Sequence, residues 1–185
     1  GYGRIGQCVL RALYENGYRD HLQVVAINEL SDIDTIAHLT KYDSTHGRFH
    51  GEVAVDGDNL VVNGDRIRVL RHPEPEELPW RLLDVDLVLE CSGAYSDRAT
   101  AEKHIEAGAR RLLFSQPGDP DVDRTVVFGI NDGDLNGQDV IVAAGSCTTN
   151  CLVPVIKVLD DAFGVEQGST TTIHAAMNDQ PVIDA

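Results

Sequence analysis

Short apolar runs and amphipathic segments alternate along this chain. Residues 23–28 and 140–144 are apolar runs of strand length, which is typical of buried strands. Residues 152–163 place apolar side chains three and four positions apart, which is typical of a helix. Predicted strands cover residues 23–28, 52–55, 60–62, 66–70, 86–91, 111–114, 125–129, 140–144 and 169–174, and predicted helices cover residues 9–16, 32–40, 97–107 and 152–163. This alternation predicts an α/β fold with a mostly parallel, doubly wound sheet.

Turn sequences predict one departure from the parallel pattern. Residues 56–59 and 63–65 are rich in Asp, Asn and Gly and join the short strands that lie before residue 71. Tight turns of this composition connect antiparallel strands, so we expect a small antiparallel excursion there. Ser31 is predicted to cap the next helix, because Asp34 follows three residues later at the acidic position of a capping box.

The glycines Gly1, Gly3 and Gly6 form a G-x-G-x-x-G motif in front of a predicted helix. The motif alone is weak, because glycines are common in loops. Glu29 strengthens it, since this residue ends the next strand 29 − 6 = 23 residues later, where a carboxylate about 20 residues on accepts hydrogen bonds from the adenosine ribose. That carboxylate would repel a 2′-phosphate, so the motif favours NAD over NADP. The alternative is that Glu29 is a solvated loop acid.

Cys147 follows a predicted strand and stands on the first turn of a predicted helix. The unpaired N–H groups and the dipole of a helix N-terminus favour an anion, so this thiol is expected to have a lowered pKa and to act as a nucleophile. His174 ends a β-branched run, and a strand beside the one near Gly145 would bring its imidazole towards the thiol. The pair is typical of nucleophilic catalysis. Each residue alone is more often structural.

The composition excludes several classes of protein. The chain has 185 residues, 42% of them hydrophobic, which is enough for one or two domains. Its formal charge of −15 argues against nucleic acid and anionic membranes as partners. No apolar run approaches the ~20 residues that span a bilayer. Four cysteines in a chain of this size do not predict a disulfide framework, and their spacing predicts no metal site, so a reducing cytoplasm is expected.

Several of these segments resemble the glyceraldehyde-3-phosphate dehydrogenase family and its erythrose-4-phosphate dehydrogenase branch. The matching segments are residues 1–6, 26–30, 41–49, 146–151 and His174. The segments that look more like the erythrose-4-phosphate branch are residues 78–81, 114–118 and 174–185. The resemblance extends over essentially the whole chain, and the segment around Cys147 is its most specific part.

The resemblance implies a Rossmann-type NAD-binding domain over residues 1–146 and the beginning of an α+β catalytic domain over residues 147–185. It implies that the central first strand of the sheet is missing and that the catalytic domain is cut short, so we expect a marginally stable, nearly inactive fragment of a homotetramer. It also implies roles for single residues in the two binding sites. The implied cofactor-binding residues are Gly1, Gly3, Arg4, Ile5, Gly6, Asn28, Glu29, Ser92, Gly93 and Ser115, and the implied substrate-binding residues are Ser146 and Thr148. Helix capping is an equally good role for Ser146 and Thr148.

The activity implied by the resemblance is NAD-dependent oxidation of a phosphorylated aldehyde, with Cys147 and His174 as the catalytic residues. The expected substrate is D-erythrose 4-phosphate, a small sugar phosphate, and the expected product is 4-phosphoerythronate, which feeds pyridoxal phosphate synthesis. The alternative is the phosphorylating glyceraldehyde-3-phosphate dehydrogenase of glycolysis. Two alternatives come from other classes, namely a cofactor-free thiol hydrolase or transferase and an inactive binding or assembly fragment.

Overall fold

Four helices and ten strands make up residues 1–175, the part of the chain that the computed structural model describes. The helices are α1 (Arg4–Glu15), α2 (Ile33–Lys41), α3 (Arg98–Glu106) and α4 (Cys147–Phe163). The strands are β1 (Ala26–Asn28), β2 (Tyr42–Asp43), β3 (Gly47–Arg48), β4 (Val53–Asp56), β5 (Asn59–Val62), β6 (Asp65–Leu70), β7 (Leu87–Glu90), β8 (Arg111–Phe114), β9 (Arg124–Thr125) and β10 (Ile141–Ala143).

Eight of the ten strands form two four-stranded sheets. One has the order β1-β6-β5-β4, in which β1 pairs parallel to β6 and the predicted antiparallel excursion supplies the other pairings. The other has the order β7-β8-β10-β9, and all of its pairings are parallel. The predicted α/β, Rossmann-type fold is therefore confirmed, although its parallel strands are divided between two sheets. A small β2–β3 hairpin, which the sequence did not predict, follows α2.

Residues of β1, β7 and α1 line a cavity of about 960 Å³. Among the described strands, β1 pairs only with β6 and β7 only with β8. The edges of β1 and β7 that face the cavity therefore present backbone N–H and C=O groups without a strand partner in residues 1–175.

The buried apolar residues form two hydrophobic cores, one mainly on each sheet, although Leu70 of β6 lies in the core of the β7-β8-β10 sheet. The β7-β8-β10 sheet is covered by α3 and by the segment around Trp80, with Leu112, Phe114 and Ile141 at its centre. The core of the other sheet lies under α1 and α2. It contains Tyr2, Leu10, Ile27, Ile36, Phe49, Leu60, Val62, Ile67 and Val69. The alternating burial of β5 and β8 follows from the two-residue period of a strand, which turns every second side chain inward.

The helix starts differ in part from those predicted. Asp32, and not Ser31, caps α2, because its carboxylate accepts the Thr35 backbone N–H at 2.9 Å. Aspartate and serine are comparable capping residues, so the sequence alone places such a start only to within a residue. The end of α3 agrees with prediction, since Gly108 follows it with a φ of +114°, a conformation that glycine adopts without strain.

Two predicted strands are wrong or shortened. The strand predicted at residues 125–129 is the short β9, because a turn begins after residue 127. The strand predicted at residues 169–174 is not formed, and residues 164–175 are irregular and exposed. Helix α4 has no buried side chain, so a β-branched run after it has no packed surface on which to pair. No helix in residues 1–175 combines the length and the apolar character that crossing a membrane requires.

Candidate active site

Cys147 is the first residue of α4 and follows β10 through a short turn. Gly145 makes the turn with a φ of +71°, which a residue with a side chain adopts only under strain. The Ser146 hydroxyl caps the helix by accepting the Thr149 backbone N–H at 3.0 Å. Asn150 donates from its amide nitrogen to the carbonyl oxygens of Ala144 and Ser146, both at 2.8 Å. The polar residues around Cys147 therefore fix the position of its Cα.

The Cys147 sulfur lies 3.3 Å from His174 Nε2. His174 Nδ1 lies 2.6 Å from the carbonyl oxygen of Ala175. A carbonyl oxygen only accepts, so Nδ1 carries the proton of this bond and the lone pair of the neutral ring lies on Nε2, facing the sulfur. The structure thus brings the two residues together, but through an irregular segment and not through the strand that was predicted. Their catalytic role stays a prediction.

The environment of Cys147 favours its thiolate. The hydrogen bond with His174, followed by that with the Thr148 hydroxyl 4.0 Å from the sulfur, lowers the pKa of the Cys147 thiol. The N-terminal end of α4 adds its positive dipole. The sulfur is exposed and lines a cavity of about 410 Å³ together with residues 170–174 and Cys151. An exposed thiol with a lowered pKa in a cavity has the properties of a nucleophile.

Glu29 lies at the end of β1, against the glycine-rich turn. One carboxylate oxygen accepts the Tyr2 backbone N–H at 2.9 Å, and the other accepts from the Leu30 N–H and from the N–H and hydroxyl of Ser31. Partial burial opposes ionisation, but these hydrogen bonds outweigh it and lower the pKa of Glu29. The solvated-acid alternative does not describe this residue, because its carboxylate joins β1 to the start of α1.

The glycine-rich turn packs closely at two of its three glycines. A side chain at Gly1 would stand 2.6 Å from the Cα of Ser92, and one at Gly6 would stand 2.8 Å from the Gly1 carbonyl oxygen, so both positions need glycine. At Gly3, by contrast, the space around a side chain would be open. No side chain among the described residues caps α1, which leaves the N–H groups of its first turn available for an anion.

Two predicted cofactor residues use their side chains elsewhere. Asn28 donates to the backbone carbonyl of His72 at 2.9 Å and accepts the His72 N–H at 3.0 Å, so its amide holds the segment after β6. The Arg4 guanidinium bonds to Asp43 at 2.9 Å and to Thr45 at 2.8 Å. Arg4 and Ile5 were predicted to act through their backbone N–H groups, which these contacts leave unused. The role of Asn28 towards a ribose stays a prediction.

Strand register brings the remaining predicted residues to one edge of the parallel sheet. Glu90 pairs with Phe114, and Phe114 pairs with Ala143, so Ser92, Ser115 and the turn before Cys147 all follow the carboxyl ends of neighbouring strands. Ligands of doubly wound folds bind at that edge. Gly93 has a φ of +75° there. The register therefore supports a single cleft for Ser92, Gly93, Ser115 and Cys147.

The sequence did not single out a buried polar cluster next to this edge. Glu90, His104 and Trp80 are all buried and lie in contact. A glutamate at the end of an otherwise apolar strand is the one signal that pointed to it. Among residues 1–175, no group of three or more His, Cys, Asp or Glu side chains is arranged to hold a metal ion.

Comparison with known families agrees with this geometry. Residues 1–98, more than half of the chain, match the family described as glyceraldehyde 3-phosphate dehydrogenase, NAD binding domain. Residues 146–185 match the C-terminal domain of the same enzyme. The second match includes residues 176–185, which lie outside the described part of the chain together with most of the predicted branch-like segment at residues 174–185. The predicted domain boundary after residue 146 stays a prediction.

The first match indicates NAD as the cofactor, and the chain carries residues that fit it. Two glycines of its glycine-rich turn stand where a side chain would clash, and the Glu29 carboxylate accepts the Tyr2 N–H of that turn. The two matched domains together indicate an NAD-dependent oxidoreductase that acts on an aldehyde. The chain belongs to the glyceraldehyde-3-phosphate dehydrogenase family.

Proposed function

We propose that this chain oxidises D-erythrose 4-phosphate to 4-phosphoerythronate, with NAD as the hydride acceptor and a thioester on Cys147 as the intermediate. The observation that carries the chemistry is the 3.3 Å contact between the Cys147 sulfur and His174 Nε2 at the mouth of a cavity. The choice of substrate rests on the branch-like segments at residues 78–81, 114–118 and 174–185. The product would feed the synthesis of pyridoxal phosphate.

In the first step, the Cys147 thiolate attacks the aldehyde carbon. The thiol proton has moved to His174 Nε2, and this nitrogen returns it to the oxygen as the thiohemiacetal forms. The hydrogen bond from Nδ1 to the Ala175 carbonyl keeps Nε2 directed at the reacting atoms. The backbone N–H of Cys147, on the first turn of α4, is a candidate donor to the developing oxyanion.

In the second step, His174 Nε2 takes the hydroxyl proton while the carbon loses a hydride and becomes the thioester. When bound, NAD supplies the hydride acceptor. His174 then releases this proton to the solvent and is again a base. Water attacks the thioester carbon, His174 Nε2 accepts one of its protons, and the Cys147 thiolate leaves with the bonding electron pair. The positive pole of α4 and the Thr148 hydroxyl make that thiolate a good leaving group.

Ser146 and Thr148 differ in what they offer a substrate anion. The Ser146 hydroxyl is engaged in the helix cap with Thr149, which favours its structural role. The Thr148 hydroxyl lies beside the sulfur and remains the better candidate for an anion near the thioester. We therefore assign substrate contact to Thr148 first and to Ser146 only through its backbone N–H.

NADH formation by the full-length enzyme tests the substrate assignment. Turnover is measured with D-erythrose 4-phosphate and with glyceraldehyde 3-phosphate, each with and without inorganic phosphate. We expect faster turnover of the tetrose, without a need for phosphate. The Cys147→Ser variant serves as the control for any rate that does not pass through the thiol. Faster turnover of the triose with an absolute phosphate requirement would instead identify the glycolytic reaction, after which the matched family is named.

We further propose a homotetramer in the cytoplasm. All four cysteines are free thiols in the structure, which accords with a reducing compartment. The apolar side chains on the exposed surface of α4, such as Val158 and Phe163, are available for further packing. Size-exclusion chromatography with light scattering measures the assembly, and a stable monomer at micromolar concentration would contradict it.

A further inference from the structure

Three buried polar side chains lie behind the edge where the parallel strands end. Glu90, at the end of β7, is 5% exposed, and His104, on α3, is 4% exposed. The Trp80 indole N–H donates to His104 Nδ1 at 3.1 Å, and His104 Nε2 stands 3.6 Å from Glu90 Oε2. The order of contacts is therefore Trp80, His104, Glu90.

The indole donor determines the tautomer of His104. An indole N–H only donates, so His104 Nδ1 must carry the lone pair and Nε2 must carry the proton. This proton faces the Glu90 carboxylate across a distance longer than a hydrogen bond, and His104 Nε2 has no other partner among the described residues. A shift of a few tenths of an ångström would turn the contact into a hydrogen bond.

Glu90 also forms a hydrogen bond with the loop that follows β7. Its other oxygen, Oε1, accepts the Ser92 backbone N–H at 2.6 Å. Ser92 lies close to Gly1, since a side chain at Gly1 would stand 2.6 Å from the Ser92 Cα. The far side of the loop is held by Gln116, which donates to the Tyr95 carbonyl at 2.7 Å. The segment 92–95 is thus fixed at both ends, and the buried cluster controls the end nearer the glycine-rich turn.

Burying a carboxylate in a core costs the free energy of its desolvation, and an apolar residue at the same place would avoid this cost. Burial opposes ionisation of Glu90, but the contacts with His104 and Ser92, together with the charge of the N-terminal ammonium, outweigh it and lower the pKa of Glu90. The ionised Glu90 carboxylate is suited to holding the Ser92 backbone in place, because a charged oxygen binds a backbone N–H more firmly than a neutral oxygen does.

We propose that Trp80, His104 and Glu90 are positioning residues that hold the 92–93 turn in place for the nicotinamide half of NAD. The inference rests on the proposed placement of the cofactor at Ser92 and Gly93. It adds three residues that do not touch the cofactor and act through the Ser92 N–H. Closure of the 3.6 Å gap between His104 Nε2 and Glu90 accompanies cofactor binding.

Replacements at His104 separate positioning from packing. His104→Gln keeps an N–H donor near the place of Nε2, whereas His104→Leu fills the space without one. We expect the Kd for NAD, measured by calorimetry on the full-length enzyme without substrate, to rise about ten-fold in His104→Leu and by less than about two-fold in His104→Gln. His50→Leu, at an exposed histidine, is the matched control and should leave the Kd unchanged.

A spectroscopic measurement reports on the same contacts. The indole ¹H–¹⁵N signal of Trp80 is assigned by its loss in Trp80→Phe, and we expect it to shift when NAD binds to wild type and to His104→Gln. If His104→Leu does not fold, the Glu90→Gln variant tests the proposal instead, and we expect its Kd for NAD to rise three- to five-fold. Equal affinities in all variants, or equal losses in the Gln and Leu variants of His104, would overturn the proposal. Failure to oxidise erythrose 4-phosphate while wild type still binds NAD would sink the proposed substrate and leave this inference standing.

Discussion

Replacing Glu29 by Gln should weaken both the fold and the affinity for NAD. The carboxylate accepts from the Tyr2 N–H on one oxygen and from Leu30 and Ser31 on the other. A glutamine side chain has one acceptor oxygen and one NH₂ donor. If its oxygen faces Leu30 and Ser31, its NH₂ faces the Tyr2 N–H, and two donors then point at each other.

The size of the effect follows from the lost bond. Leaving a half-buried backbone N–H without an acceptor costs about 1–3 kcal/mol, and solvent around the partly exposed carboxylate reduces this to about 1 kcal/mol in the free energy of unfolding. A ribose hydroxyl loses the same charged acceptor, so the Kd for NAD should rise about ten-fold, which corresponds to about 1.4 kcal/mol. The Kd for NADP should rise less, because a charge that repels its 2′-phosphate is gone.

The pH dependence gives a second measure of the same interaction. The pKa of Glu29 is lowered in the folded protein, so its stabilisation is present above the unfolded value of about 4.3 and is lost as the pH falls through the folded pKa. Urea unfolding of wild type and Glu29→Gln should therefore differ at pH 7 and converge in acid. A constant difference across that range, or an unchanged Kd for NAD at pH 7, would refute the reasoning.

Two further predictions concern the thiol and the core. Removing the imidazole in His174→Asn should raise the pKa of Cys147, because the hydrogen bond with His174 is the largest cause that lowers it. Alkylation of Cys147 by iodoacetamide, followed by mass spectrometry, should therefore slow near pH 7 and recover at higher pH. A dependence of the alkylation rate on pH that matches wild type would contradict this. Phe114→Ala removes a fully buried ring from the parallel sheet and should lower the free energy of unfolding by about 3–5 kcal/mol. Leu82→Ala, at a position 79% exposed, is the control and should change the free energy of unfolding by less than about 0.5 kcal/mol. Comparable losses in the two variants would count against the assigned core.

Local patterns along the chain were sufficient to predict most of the secondary structure. The apolar runs that became β8 and β10 are correct to within a residue, because a buried strand needs a continuous apolar run with turn residues at its ends. The run at residues 169–174 failed because β-branched composition favours a strand only where another strand lies beside it. Sequence does not show that neighbour.

The candidate site was predictable where its chemistry is local. The position of Cys147 on a helix N-terminus and the separation of Glu29 from the glycines both follow from residue order. The contacts of Asn28 with His72, and of His104 with Trp80, join residues 44 and 24 positions apart. No periodicity encodes such pairs, because they arise only when separate elements pack.

The placement of Glu29 and Ser92 has a thermodynamic consequence for the cofactor. Glu29 follows β1 and Ser92 follows β7, and both residues line the same cavity. A dinucleotide that contacts both residues links two elements that are far apart in sequence, so NAD should stabilise the folded protein. Saturation with NAD at 100 times its Kd adds about 2.7 kcal/mol of apparent stability, which an upward shift of the melting temperature would measure.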